Sequence, residues 1–115
     1  MGAKGSAAQL DSLYRSLADG SFGDGADIAL RQLEYQPAPD GAEGLGFKGG
    51  NLPGVLNQAF ELRREDGTVA TAVWLTDGLP ADRYEAANTG LGNQQMLIID
   101  ALQSSDALDR IACVV

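Results

Sequence analysis

The run AFELRREDGTVATAVWL, residues 59–75, does most to restrict what this chain can fold into. Phe60 and Leu62 alternate with polar residues before REDG, and Val69, Val73 and Leu75 alternate after it. Gly67 supplies the positive φ that a bulged turn requires. The stretch from Thr68 to Thr76 is rich in β-branched residues and needs an antiparallel partner close by in sequence. A hairpin is therefore expected, and with it an antiparallel sheet. A competing pattern exists, since Leu52, Val55, Leu56, Ala59, Phe60 and Arg63 are spaced as a helix face behind Pro53 with Gly67 as its stop. The β-branched second arm favours strand over helix for 52–65.

Around that hairpin the chain predicts helices at both ends. Ser6 followed by Gln9 forms a capping box, and Leu10, Leu13, Tyr14 and Leu17 recur at helical spacing, so a helix is expected from Ala7 to Asp19 with Gly20 as its stop. Pro80 opens a short helix over PADRYEAAN. NQQMLIIDALQSS continues as an apolar helix from an Asn93 cap, with Met96, Leu97, Ile99 and Leu102 facing inward and a strand over QMLIID as the alternative. DIALRQLEYQ, apolar on both alternating faces, fits either strand or helix, and its length of about ten residues and its glycine and proline flanks favour strand. IACVV is expected to dock as a terminal strand, with Cys113 buried as a small apolar residue. The expected architecture is a single α+β domain over 1–115. It has a mainly antiparallel sheet of three or four strands, an N-terminal helix and one or two C-terminal helices packed on a face.

Residues 36–54 hold three of the four prolines and a dense set of glycines, and read as a long Gly/Pro-rich loop. Within it GLGFKGG matches the G-x-G-x-x-G letters of dinucleotide-binding proteins. A working fingerprint needs a buried strand before the glycines and a helix N-terminus directly after them, where free N–H groups meet the pyrophosphate. QPAPDGAE before and GGNLPG after provide neither, so the match carries no nucleotide site. The acids of DGSFGDGAD similarly fail as a calcium loop. Counting from Asp19, Leu30 falls where the bidentate glutamate belongs and Asp24 where the glycine belongs.

Eight Lys and Arg against sixteen Asp and Glu give a net charge of −8, which opposes nucleic acid and anionic membrane surfaces and admits a basic protein partner. No histidine is present and Cys113 is the only cysteine, which removes His-centred catalysis, the familiar zinc sites and an intrachain disulfide. No cofactor or metal is expected. The chain has no apolar run long enough to span a bilayer and no signal-peptide core, and reads as cytoplasmic. MGAKGS imitates a myristoylation signal without a polybasic second anchor, and Cys113 stands one residue short of a prenylation box.

The chemistry left to such a chain is carried by carboxylates, tyrosines and arginines. Asp100 and Glu61 lie within apolar segments, where burial raises a carboxyl pKa toward general-acid range; they are the catalytic candidates of a small, metal-independent, histidine-free isomerase or lyase. Trp74, Phe47, Lys48, Tyr84 and Arg83 are the binding candidates, being of the types that anchor interfaces or lying in the long loop. The preferred expectation is a small acidic binding protein acting on a basic protein or a small ligand, with self-association through an edge strand or the Trp74 face.

Overall fold

A computed structural model describes residues 4–113. Among the described residues, five helices and three strands follow the order α1 (Ala7–Ala18), α2 (Ala26–Leu33), β1 (Ala42–Leu52), β2 (Val55–Arg64), β3 (Val69–Thr76), α3 (Ala81–Thr89), α4 (Leu91–Gln103), α5 (Ser105–Ala112). The strands form one antiparallel sheet in the order β1-β2-β3, so the fold is α+β as expected.

The expected hairpin is β2–β3. Arg64 N donates to Thr68 O at 2.9 Å, Gly67 N returns to Arg64 O, and Gly67 sits at φ +86. The helical alternative for 52–65 is not adopted. β2 is buried continuously from Gln58 to Leu62 because both faces of the sheet are covered, which is why its pattern lacked strict alternation. Leu56, Gln58, Phe60 and Leu62 point to one side, where Ile98 and Leu102 of α4 close a core with Leu45, Phe60 and Leu62. Ala59, Glu61 and Arg63 point to the other, toward α1 and α2. The helices thus occupy both faces rather than one.

α1 forms with its capping box intact: Gln9 N donates to Ser6 Oγ at 3.2 Å and Ser6 N to Gln9 Oε1 at 2.8 Å. Residues 26–33, read as strand, form helix α2. Ala26, Ala29, Leu30 and Leu33 lie at i, i+3, i+4, i+7 and turn inward, while Asp27 and Arg31 pair outside at 3.3 Å. The period-two reading missed this because it began after Ala26.

Residues 42–52, expected as the core of a 36–54 loop, form β1 instead. Pro53 and Gly54, with Gly54 at φ +79, make a two-residue connection to β2, and Leu52 faces Val55. At the C-terminal end α4 begins at Leu91 rather than Asn93 and buries Ile98 and Leu102, leaving Met96 at 59 % and Leu97 at 46 % exposure, against the inward placement expected for both. No terminal strand forms at 111–113. Ile111 and Ala112 end the amphipathic helix α5, and Cys113 is exposed rather than buried. The myristoylation look-alike and the prenylation look-alike extend into residues 1–3 and 114–115, which lie outside the described residues. Among those described, no helix is long and apolar enough to cross a membrane.

Candidate functional site: a buried carboxyl pair

The glycines of GLGFKGG acquire a purpose once β1 is seen as a strand. Gly44 and Gly46, two residues apart, open onto the α1–α2 face of the sheet opposite Arg63 and Glu61. A Cβ built on Gly46 would lie 2.5 Å from Glu61 Oε1, and one on Gly44 would meet the carboxylate of Glu34 closer still. The missing side chains are two notches, each filled by a carboxyl group.

Glu61 is 0 % exposed and stands in the middle of β2. No donor meets either of its oxygens in hydrogen-bond geometry. Its neighbours are the Glu34 carboxyl, which closes the C-terminal end of α2, the Gly46 backbone, and the buried Tyr14 of α1. Glu34 faces the other way as well: Arg63 grips it with two parallel bonds, Nε to Oε1 at 2.7 Å and Nη2 to Oε2 at 2.8 Å. Arg63 Nη1 reaches Glu43 at 3.0 Å. The fork geometry of guanidinium suits such bidentate pairing, and each bond is charge-assisted.

These contacts divide the two acids. Burial works against the charge of Glu34, but the hydrogen bonds and charge of Arg63 hold its pKa below the ordinary glutamate value. Burial, then the adjoining Glu34, push Glu61 up to about 8, with Arg63 opposing only in part. At neutral pH, Glu61 is the protonated member and the one able to donate, Glu34 the anion able to accept. Two carboxyls in contact cannot both ionise at ordinary cost. Tyr14, 5 % exposed, has its phenol raised by burial and by Glu61.

Of the sequence candidates, Glu61 is therefore in this cluster and Asp100 is not; Asp100 lies exposed on α4. Phe47 and Lys48 sit on β1, on opposite faces. Phe47 packs on Phe60 with ring centroids 4.8 Å apart beneath α4, whereas Lys48 is exposed and donates to the carbonyl of its neighbour Gly49. Tyr84 lines an open groove of about 510 Å³ with Pro53, Gly54, Leu79 and Ala81, and its hydroxyl bonds to Asn51. Arg83 is exposed on α3. Trp74, 42 % exposed, shares the α4 side with Ala70 and Ala72, and its Nε1 donates to Thr76 Oγ1 at 2.9 Å. The binding candidates are thus dispersed over three elements. Sequence reading missed Glu34, Arg63, Tyr14 and the two notches. The legible signal was a pair of i, i+2 patterns, G-x-G and E-x-R, whose meaning appears only when the strands carrying them are set side by side.

The two edges of the sheet also differ. In an antiparallel ladder, successive residues alternate between bonding the neighbour and facing outward. With Arg64 bonded to Thr68, the outward groups of β3 belong to Val69, Thr71, Val73 and Leu75, and those of β1 to Leu45, Phe47, Gly49 and Asn51. On β1, the Leu45 carbonyl accepts from Gln36 Nε2 and the Gly49 carbonyl from Lys48 Nζ. On β3, Arg15 Nη1 meets the Val69 carbonyl at 3.3 Å, and the rest of the strand carries no charged side chain. A groove of about 410 Å³ runs there, lined from one side by Arg15 and from the other by Leu102 and Leu108, with Ala70 and Thr71 between. No family model, no curated protein and no solved structure matches this chain.

Proposed function

We propose that the chain is a small acidic binding protein of the cytoplasm that works by strand addition along β3, and that the occupant of this edge is a second copy of itself. The observation that carries the reading is the contrast between the two edges. Sheet edges that stay single are blunted by charge, proline or capping side chains. β1 has such devices; VATAVWLT carries no charge or proline of its own over eight residues. Among the described residues, the only edge carbonyl of it that a charged side chain meets is that of Val69, by Arg15, while Asp11 takes the Thr71 hydroxyl and leaves the backbone edge uncapped. Its groove takes lining from both faces of the sheet, which is the form an added strand fills.

A second copy suits the local charge. The whole chain at −8 repels its like, but β3 is neutral, with Arg15 beside its first residue and exposed Asp77 after its last. Antiparallel pairing brings the Arg15 end of one strand to the Asp77 end of the other. Salt screens the long-range repulsion, so self-association strengthens as salt is added, the opposite of what a basic partner would show. The enzymatic alternative draws less support, since Glu61 is sealed from any substrate and Asp100 lines neither of the two grooves described above.

Sedimentation equilibrium tests the proposal. The wild type is expected at twice 12.0 kDa, and Leu75→Lys, which places a charge on an already exposed edge position, at 12.0 kDa. A wild-type mass of 12.0 kDa at hundreds of micromolar (~10 times the concentration at which a micromolar-affinity dimer is mostly formed) would remove the second copy as partner.

A further inference from the structure

We propose that Glu34 and Glu61 form a single-proton latch that holds the C-terminal end of α2 against β1 and loosens as the proton leaves. The apolar side of α2 (Ala29, Leu30 and Leu33) is only half-buried, and the contacts at its C-terminal end are polar. Of its residues only Ala26 is fully buried; Ile28 is 58 % exposed, and Tyr35, just beyond, 79 % exposed. What fastens its end is the Glu34–Arg63 fork, the carboxyl contact of Glu34 with Glu61, and Gln36 bonding the Leu45 carbonyl. All three lie within three residues of chain, on the notches of Gly44 and Gly46. An unprotonated Glu61 at 0 % exposure would leave two anions facing each other with no donor for Glu61.

The charged and titratable groups around Glu61 are few and can be named from every element packed on it. α1 contributes Tyr14, and Asp11, which bonds to Thr71, the β3 residue opposite Glu61. β2 itself contributes Arg63. β1 contributes Glu43 through Arg63 and, further along the same face, exposed Lys48. α2 ends in Glu34. Arg63 is therefore shared by Glu34 and Glu43 already, and an ionised Glu61 would add a further buried anion with no cation of its own.

The sign follows from linkage. The closed latch keeps the proton up to about pH 8, whereas an opened Glu61 returns to the ordinary range near 4.5. Between those values the closed form binds one more proton, so the opening equilibrium rises about tenfold per pH unit and levels off above about 8. Opening frees the Leu45 carbonyl from Gln36 and so uncaps the start of the β1 edge, coupling proton release to exposure of a second strand edge.

Amide exchange resolved by segment, corrected for the intrinsic pH dependence, reads this directly. Protection over residues 26–36 is expected to fall by about a factor of ten per unit from pH 5 to 8, while protection in β2 changes far less. Glu61→Gln keeps a neutral donor toward Glu34 and is expected to abolish the pH dependence. Flat protection over 26–36 in the wild type, or the same slope in E61Q, overturns the latch. Should E61Q fail to fold, a carboxyl-carbon NMR titration of the wild type decides. A Glu61 carboxyl still protonated at pH 6 supports the proposal, and one fully ionised there ends it.

Discussion

A methyl group at position 46 would stand 2.5 Å from Oε1 of a side chain that has no solvent to retreat into. Gly46→Ala is therefore expected to cost about 1–3 kcal/mol in urea unfolding, the range of overpacked cores. Combining it with Glu61→Ala should cost less than the sum of the two, because the second change vacates the space the first invades. An additive result would show that the strand shifts instead. At position 44 the same substitution displaces the Glu34 carboxylate and with it the Arg63 fork. Glycine was legible in the sequence as an oddity and illegible as a notch, since the atoms that need the room belong to Glu61, fifteen positions after Gly46 in the chain, and to Glu34, ten positions before Gly44.

At the scale of elements, those with local causes were readable and those with distant causes were not. The Ser6–Gln9 box, the Gly67 turn and the Pro80 start each rest on contacts within a few residues, and each is found. Ser6→Ala should lower stability by about 1 kcal/mol through loss of the cap, measurable as a shift in the denaturation midpoint with unchanged slope. β1 had the composition of a loop because its glycines serve neighbouring carboxyls rather than its own backbone. The apolar face of α4 was placed one position off, toward Met96 and Leu97, because the helix is rotated by what it packs on. Gln94 takes a hydrogen bond from Gln58 at 2.8 Å, and Arg64 reaches the Leu102 carbonyl at 2.6 Å.

For the molecule as a whole, stability should vary with pH in two limbs of opposite sign. Glu61 has a folded pKa raised above its unfolded value, so its contribution is full below about 4.5 and is lost as pH rises toward 8, at about 1.4 kcal/mol per unit of proton linkage. Asp11 is lowered, first by its bond from Thr71, and contributes in the other sense, losing its effect as pH falls below the ordinary aspartate range. Maximum stability is thus expected on the acid side of neutrality, and chemical denaturation at a series of pH values should show it. Glu61→Gln should flatten the limb between pH 5 and 8 and leave the acid limb in place; an unchanged basic limb would assign it to another group.

The sequence by itself determined the antiparallel hairpin, the capped first helix and the α+β class, because each depends on residue types and on spacings shorter than a turn or two of chain. Only the tertiary structure decided that the fingerprint-like glycines form a strand, that residues 26–33 form a helix, and that Glu61 meets Glu34. Those outcomes rest on which groups meet across the sheet, and a carboxyl's charge and a glycine's use are both set by the neighbour that arrives from elsewhere in the chain.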